Sequence, residues 1–208
     1  MRLRNVKNKQ EIMDNAINLI LNPKDYKGRW KEVFNNNNPI YIEIGMGKGD
    51  FIIEHAKRYP DINFIGIERF DSVIVRAIEK VPEEIPNLRL VRMDAKDIEE
   101  VFDKEISRIF LNFSDPWPKK RAHKKRLSSD SFIKMYDQVL AADGEIQMKT
   151  DNEQLFEFSI LAFQNAGWKL IDFTVNYRRD QHDEDAITEY ETRFMNLGQP
   201  IFRAVWKR

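Results

Sequence analysis

Cysteine is absent from this chain of 208 residues. Without thiols the protein cannot form disulfides, a cysteine nucleophile, a thiolate zinc site or an iron–sulfur cluster. The three histidines are scattered along the chain and lack the spacing of metal ligands; they are His55, His123 and His182. We therefore expect a protein without a bound metal.

A long apolar run is also missing. No stretch approaches the roughly 20 residues that a membrane-spanning helix needs. The basic N-terminus, MRLRNVKNKQ, has no apolar segment behind it of the kind found in secretory signals. The length suits one large domain or two small ones, and the hydrophobic fraction of 42% is ordinary for a globular protein. We therefore expect a cytoplasmic protein with a substantial core.

The chain carries no net charge, since 34 basic residues balance 34 acidic ones. The charges nevertheless segregate. Lys119–Arg126 contains six basic residues and no acid, whereas Asp180–Glu191 contains six acids and no lysine or arginine. Such runs are usually solvated faces, but they can also create a local binding field on a neutral molecule.

Short apolar segments alternate with amphipathic segments through the middle of the chain. The predicted strands are Ile40–Ile44, Asn63–Glu68, Leu88–Asp94, Ser107–Phe113 and Gly144–Asp151. The predicted helices are Asp50–Tyr59, Ser72–Val81 (stopped by Pro82), Ile98–Phe102, Ser129–Leu140 and Glu153–Asn165. This alternation predicts an α/β protein with a parallel sheet and helices on both faces.

The two ends of the chain depart from this alternation. Two late strands, Leu170–Tyr177 and Pro200–Trp206, have only a polar loop between them, which predicts a hairpin and an antiparallel last pairing. Residues 1–29 precede the core and contain a predicted helix, Glu11–Leu21, and a basic arm (Arg2, Arg4, Lys7 and Lys9). We expect an appended segment over residues 1–29 and a single domain over residues 30–208.

The stretch EIGMGKGDF, Glu43–Phe51, stands at the end of the first predicted strand, where ligands bind in doubly wound sheets. Gly45, Gly47 and Gly49 would let the backbone turn sharply and approach a ligand closely. Their G-x-G-x-G spacing differs from the G-x-G-x-x-G of dinucleotide binders. A plain turn between a strand and a helix could use the same glycines.

Acidic residues belong to three successive strands: Glu43, Glu68 and Asp94. One alone could simply cap the following helix, but three at adjacent sheet positions form a line. Glu68 follows Gly49 by 19 residues, a reach suited to ribose hydroxyls, and its charge would repel a ribose phosphate. S-adenosylmethionine fits this pattern, because Glu43 could favour its cationic end; NAD is the main rival.

The stretch NFSDPWPKKRAHKKR follows the fourth predicted strand, at the switch point of the predicted sheet. Pro116 and Pro118 restrict the backbone around Asp115 and Trp117. A rigid turn with a core tryptophan is one reading. The alternative is that the cations of Lys119–Arg126 grip phosphates while Asp115 and Trp117 meet a base. The adjacency of the cationic run favours this second reading and a nucleic-acid substrate.

Four motifs, EIGMGKGDF, NFSDPWPKKR, KTDN and TEYETRF, closely resemble those of the bacterial tRNA (guanine-N7-)-methyltransferase family, in order and over nearly the whole chain. The resemblance implies a Rossmann-like class I methyltransferase fold, with a mostly parallel seven-stranded sheet, helices on both faces and an antiparallel last strand. It also implies transfer of a methyl group from S-adenosylmethionine to N7 of a guanine in the tRNA variable loop, which gives N7-methylguanosine.

The resemblance assigns the family's residue roles to the residues of this chain at the matching motif positions. Cofactor contacts are implied for Glu43, Gly45, Gly47, Gly49, Glu68, Asp94, Ala95 and Asp115. Asp115 is also implied as the catalytic residue. Substrate contacts are implied for Lys119, Asp151, Thr188, Glu189, Tyr190 and Glu191. RNA contacts are implied for Arg121, Ala122, His123, Lys124, Lys125 and Arg126; the family commonly has histidine where Ala122 stands.

Guanine N7 carries a lone pair and no proton, so the expected reaction needs no general base. We expect Asp115 to accept hydrogen bonds from the guanine N1–H and amino group, bonds that strengthen as the ring becomes cationic. Asp151 could contact the base, cap the following helix, or do both. The acids of ITEYE in the late polar loop, Glu189 and Glu191, would repel phosphate, so they should face the base or the cofactor amine.

Two other readings stay open at this point. Asp-Pro-Trp-Pro loosely resembles the loop of methyltransferases that act on amino groups of small molecules or proteins, although the cationic run speaks against them. A non-catalytic RNA-binding protein could also retain the fold. The expected partner is tRNA, and the protein is expected to be a monomer or a homodimer.

Overall fold

The computed structural model describes Val6, residues 8–81 and residues 83–208. Three residues of the predicted basic arm, Arg2, Arg4 and Lys7, lie outside the described residues, as does the predicted helix stop at Pro82. The chain divides into two compact units, one up to Phe102 and one from Asp103 to Arg208. Within the part described, no helix combines the length and the apolarity needed to cross a bilayer.

The first unit alternates strands with helices, as its periodicity predicts. Its strands are β1 (Leu19–Ile20), β2 (Ile40–Ile44), β3 (Asn63–Glu68) and β4 (Leu88–Arg92). Its helices are α1 (Lys9–Asp14), α2 (Trp30–Phe34), α3 (Asp50–Arg58), α4 (Asp71–Ile78) and α5 (Ile98–Val101), with short 3₁₀ helices at Pro23–Tyr26 and Ala95–Asp97.

The strands of the first unit lie in the order β1-β4-β3-β2 and pair in parallel throughout. Every residue of β3 is buried, as expected for a central parallel strand covered on both faces. Ile44 pairs with Ile67, and Glu68 pairs with Arg92. The carboxyl ends of β2, β3 and β4 therefore reach one edge of the sheet, where the chain carries its glycines and acids.

The second unit contains the remaining strands, β5 (Ile106–Asn112), β6 (Leu140–Thr150), β7 (Lys169–Thr174) and β8 (Phe202–Lys207). Its helices are α6 (Asp130–Val139), α7 (Glu153–Asn165) and α8 (Glu189–Asn196), with 3₁₀ helices at Lys120–Lys125 and Tyr177–Arg179. The strand order is β5-β6-β8-β7; β5 and β6 are parallel, and β8 runs antiparallel to both neighbours. The antiparallel last pairing is thus confirmed.

Large aromatic side chains fill the core of each unit. In the first, Trp30 is fully buried, its Nε1–H donates to the carbonyl of Val101 at 2.9 Å, and its ring lies 5.2 Å from that of Phe102. In the second, the buried rings of Trp206 and Phe163 stack at 4.4 Å. Aromatic packing therefore stabilises the core of both units.

Two local predictions are wrong. The predicted helix Glu11–Leu21 is instead the short α1 followed by strand β1, because Asn18 docks the chain on β4: its Nδ2 donates to Leu88 O at 2.8 Å and to Ile85 O at 3.0 Å. The described residues therefore hold eight strands and not the expected seven. Pairing with a distant strand overrides local helical spacing here.

The loop predicted between the last two strands contains α8. Thr188 is its N-cap, and the Thr188 hydroxyl oxygen accepts from the backbone N–H of Glu191 at 3.0 Å. Apolar periodicity could not reveal this helix, because Tyr190 and Phe194 are its main apolar residues and most of the rest are polar. The capping pattern T-x-x-E was the signal available in the sequence.

Candidate active site

The turn from β2 into α3 is built on three glycines with φ of 78°, 59° and 79° at Gly45, Gly47 and Gly49. No atom of the described residues lies within 4 Å of the positions where a Cβ would stand on Gly45 or Gly47. A Cβ on Gly49 would instead lie 3.0 Å from the side chains of both Ala77 and Ile53. Gly45 and Gly47 therefore leave open space for a ligand, whereas Gly49 lets α3 pack closely.

Glu68 ends β3 and is only 7% exposed. Its Oε1 accepts the backbone N–H groups of Arg69 at 2.9 Å and Phe70 at 3.0 Å, and its Oε2 accepts that of Gly47 at 3.2 Å. Burial is the largest influence and raises the pKa of Glu68, while these N–H groups and the Arg69 guanidinium oppose the rise. A carboxylate offers about four acceptor positions, so about one remains for a ligand hydroxyl.

The other predicted cofactor residues of this unit differ in exposure. Glu43 is buried in β2, at 3% exposure. Asp94 lies two residues beyond β4 and caps the 3₁₀ helix that begins at Ala95, because its Oδ1 accepts the N–H of Lys96 at 3.1 Å. Asp94 and Ala95 are both half-buried. The capping role considered for these acids is therefore real for Asp94, whose Oδ2 lies 3.9 Å from Arg69 Nη1.

A cleft of about 800 Å³ opens beside Asp94, a volume typical of small-molecule sites. Its walls include Arg69, Phe70 and Met93 at the strand ends, and residues 21–25 of the segment before the core. The glycine turn is not part of this lining, so the cleft corresponds only to the Asp94 side of the predicted cofactor site. Nothing in the residue pattern had singled out residues 21–25.

In the second unit, Asp115 lies exposed on the loop that follows β5. Two residues around it, Phe113 and Trp117, have positive φ values of 50° and 42°. Non-glycine residues adopt this conformation at a cost, and such strain concentrates at functional sites. The Nζ of Lys125 lies 4.7 Å from the centre of the Trp117 ring, in a cation–π contact.

The cationic run forms the 3₁₀ helix Lys120–Lys125, preceded by Lys119. Arg126 is 2% exposed, its Nε donates to Pro116 O at 2.8 Å, and its guanidinium lies 4.5 Å from the Phe158 ring centre. The His123 ring also contacts Phe158, at 5.6 Å. Arg126 thus anchors the Asp115 loop, and five of the six cations are exposed: Lys119, Lys120, Arg121, Lys124 and Lys125.

Side chains from three of the four motifs meet at Tyr190. Its ring lies 5.0 Å from that of Phe113, and the carboxylate of Asp151 is close enough to act on its hydroxyl group. Partial burial raises the pKa of Tyr190, and the negative charges of Asp151 and Asp115 raise it further. NFSDPWP, KTDN and TEYE are therefore brought together by the fold of the second unit.

Asn152 caps α7, because its Oδ1 accepts the N–H of Leu155 at 2.8 Å. The helix-capping role considered for Asp151 thus belongs to its neighbour. Burial raises the pKa of Asp151, opposed by its own backbone N–H and by the Tyr190 hydroxyl. Asp151 is therefore a partly buried carboxylate that faces an aromatic hydroxyl.

A buried group of two cations and two acids, the four-charge cluster, consists of Lys149, Arg178, Asp185 and Glu191. Lys149 Nζ lies 2.6 Å from Asp185 Oδ2 and 3.2 Å from Glu191 Oε2. Arg178 Nε lies 2.7 Å from Glu191 Oε1, and its Nη2 pairs with Asp185. The cluster ties residues 180–191, the acidic segment, to β6.

The expectation that the acids of ITEYE face the base or the cofactor amine is wrong for Glu191, which is directed, like Asp185, at Lys149 and Arg178. Of the predicted substrate stretch, Glu191 is buried and Thr188 caps α8, whereas Glu189 and Tyr190 are exposed. The six acids of the segment had been noted, but no local pattern linked them to Lys149.

Comparison with solved structures identifies the fold. A structure titled an antibiotic-related methyltransferase has a TM-score of 0.65 at 15% identity, covering 88% of this chain and 92% of that one. The 16S rRNA methyltransferase KamB has a TM-score of 0.66 at 12% identity, covering 86% and 92%. A family model described as "Putative methyltransferase" matches residues 37–204. The chain is therefore a class I methyltransferase, whose methyl donor is S-adenosylmethionine.

Curated relatives identify the particular methyltransferase family. A tRNA (guanine-N(7)-)-methyltransferase of Lachnoclostridium phytofermentans is 49% identical over 208 residues, 99% of this chain and 97% of the relative. That of Listeria innocua is 52% identical over 186 residues, 88% and 87% of the two chains. That of Bacillus subtilis is 48% identical over 195 residues, 93% and 92%. The chain belongs to the tRNA (guanine-N(7)-)-methyltransferase family, as its motifs predict.

The first unit fits S-adenosylmethionine. Gly45 and Gly47 leave open space over the turn. Glu68 keeps an acceptor position for a ribose hydroxyl after binding three backbone N–H groups. The cleft beside Asp94, at about 800 Å³, has a volume typical of small-molecule and cofactor sites.

Alanine substitutions at Gly45 and Gly49 should separate the two roles of the turn. The residues share nearly the same φ, 78° and 79°, so both substitutions incur about 1–2 kcal/mol of left-handed strain. Gly49→Ala should lower the free energy of unfolding by about 1–3 kcal/mol more, because only its Cβ meets packed side chains. Gly45→Ala should instead weaken S-adenosylmethionine binding about tenfold, since its methyl group enters the open space.

Urea titration of the cofactor-free protein and calorimetry with S-adenosylmethionine measure these two effects. Equal stability losses in the two variants would contradict the packing role of Gly49.

Glu191→Gln should lower the free energy of unfolding by about 3–5 kcal/mol, because it leaves two buried cations facing one carboxylate. Glu157→Gln, at an exposed acid on α7, is the control and should change stability by less than about 0.5 kcal/mol. Urea midpoints of the two variants give the comparison. Similar midpoints would show that the cluster does not hold the segment.

Proposed function

We propose that this protein transfers the methyl group of S-adenosylmethionine to N7 of a guanine in the variable loop of tRNA. Its place in the tRNA (guanine-N(7)-)-methyltransferase family supports this function. The observation that carries it is the exposed carboxylate of Asp115 on a strained loop, in the same unit as five exposed cations. Carboxylates suit the edge of a base, and the cations suit a phosphate backbone.

Residues of the first unit hold the cofactor in this proposal. Glu68 accepts a ribose hydroxyl, Gly45 and Gly47 admit the ligand close to the backbone, and Asp94 with Ala95 lines the adenosine side. The buried carboxylate of Glu43 favours the cationic end. The family also implies a cofactor contact for Asp115, which belongs to the second unit. S-adenosylmethionine, when bound, supplies a methyl group on a positively charged sulfur.

Asp115 acts as an orienting and electrostatic group. N7 of guanine has a free lone pair, so no side chain has to remove a proton from it. The Asp115 carboxylate accepts the N1–H and amino hydrogens of the base, and these bonds strengthen as the ring gains positive charge. Its exposure on a loop tied down by Arg126 leaves it accessible to a macromolecular substrate.

The exposed cations hold the polymer. Lys119, Lys120, Arg121, Lys124 and Lys125 contact phosphates, which positions the RNA without reading its sequence. Lys119 is the cation nearest in sequence to Asp115, in keeping with its implied contact to the substrate. The half-buried Ala122 and His123 shape this turn.

The function is tested by mass analysis of tRNA nucleosides after reaction with isotopically labelled S-adenosylmethionine. The wild-type protein should produce labelled N7-methylguanosine, and Asp115→Asn should reduce its single-turnover rate about 10²–10³-fold, by analogy with the loss of an oxyanion-hole donor. Asp143→Asn, an exposed acid in the same unit, is the matched control and should keep the full rate.

Label on an amino group would favour a different methyltransferase class. Cofactor and RNA binding without any transfer would favour a non-catalytic RNA-binding protein. A nearly full rate in Asp115→Asn would remove the assigned role of this residue.

The salt dependence of tRNA binding tests the cationic turn. If the turn meets about four phosphates, the log–log slope against salt should be near −3, at roughly −0.7 to −0.9 per phosphate. Replacing Lys120, Arg121 and Lys124 with alanine should flatten the slope by about 2–3. Alanine at Lys134 and Lys169, exposed cations elsewhere in the unit, should leave it unchanged. An unchanged slope in the triple variant would move the RNA path elsewhere.

A further inference from the structure

The rings of Phe113 and Tyr190 form an aromatic wall that no step of the mechanism above uses. They lie 5.0 Å apart and are tilted by 47°. Phe113 is half-buried, and Tyr190 is 45% exposed. An exposed tyrosine ring in contact with a second accessible aromatic ring is a surface on which a planar base can stack.

Contacts of the backbone and of Lys149 fix the positions of the two rings. Phe113 adopts a positive φ of 50°, and its N–H donates to Lys149 O at 2.8 Å. Lys149 in turn binds Glu191, which follows Tyr190 directly in the chain. The strained residue and the first turn of α8 are therefore both held through Lys149, which gives the two rings a defined separation.

Carboxylates surround the exposed part of the wall. The charge of Asp151 acts on the Tyr190 hydroxyl group, and that of Asp115, two residues beyond Phe113, acts on it more weakly. Arg193 is the cation whose charge acts on the phenol in the opposite sense. A flat face flanked by two acids favours a planar ligand that carries positive charge.

Resting on the proposed function, we propose that Phe113 and Tyr190 stack against the target guanine and that, with Asp151, they stabilise its methylated, cationic form. When the N7–carbon bond forms and the carbon–sulfur bond breaks, the positive charge leaves the sulfur and spreads over the guanine ring, and no proton is released. The aromatic face and the carboxylates thus bind the transition state more tightly than the neutral base. This gives Phe113 a substrate contact and Tyr190 a stacking role.

The kinetic test uses single-turnover methylation at saturating tRNA. Tyr190→Leu and Phe113→Leu should each lose about 10- to 100-fold in rate, as expected for loss of a stacking ring. Tyr190→Phe keeps the ring and should lose no more than about fivefold, the effect of one hydrogen bond. Phe194→Leu removes the other ring that contacts Tyr190, at 4.7 Å, and as the control should stay within about threefold of wild type.

The binding test compares N7-methylguanosine monophosphate with guanosine monophosphate at neutral pH. Wild type should prefer the methylated, cationic base by about 3- to 30-fold, the range of cation–π contacts, and Tyr190→Leu should lose that preference. This readout does not depend on turnover, and S-adenosylmethionine affinity by calorimetry confirms that each variant is folded.

The outcomes separate the two proposals. If wild type forms no N7-methylguanosine, the proposed function fails. If wild type is active and Tyr190→Leu and Phe113→Leu keep both the rate and the base preference, only the aromatic wall is overturned.

Discussion

A carboxylate that is buried in a protein needs a cation or hydrogen-bond donors to replace the water it has lost. Both units of this protein are organised by that requirement. Glu68 meets it with three backbone N–H groups, which join the end of β3 to the glycine turn. Asp185 and Glu191 meet it with Lys149 and Arg178, which hold the acidic segment against β6.

The two solutions leave different chemistry available. Backbone donors satisfy Glu68 without neutralising it, so a charged acceptor remains for a ligand hydroxyl. The four-charge cluster neutralises its acids completely, so Asp185 and Glu191 serve the structure while their neighbours Glu189 and Tyr190 face solvent. A segment rich in acid can therefore approach a polyanion, because part of its charge is already cancelled inside the protein.

Strain and rigidity are concentrated around Asp115. Phe113 and Trp117, on either side of it, both have left-handed backbone conformations. Pro116 is held by Arg126, whose burial against Phe158 makes one member of the cationic run a structural anchor. A loop constrained in this way can present a carboxylate in a fixed geometry, which a reaction that relies on orientation and electrostatics requires.

Much of the fold could be read from local patterns. β2 and β3 have the predicted limits, α7 begins and ends as expected, and the last pairing is antiparallel, because buried apolar runs and glycine or proline breaks are local signals. β1 could not be foreseen, since it depends on Asn18 reaching β4, and α8 lacked an apolar stripe. For the candidate site, motifs indicated which residues take part. They did not indicate which distant residues each of them contacts.

The sequence by itself therefore determined the alternation of strands and helices, the glycine turn with its acids, and membership of the methyltransferase family, because each of these is written in contiguous residues. Only the tertiary structure decided that Glu68 accepts three backbone N–H groups, that Arg126 is an anchor, and that the rings of Phe113 and Tyr190 meet. Residues far apart in the chain make these contacts. The partner of a buried charge is determined by which groups the packing places within a few ångströms of it, and local sequence does not contain that information.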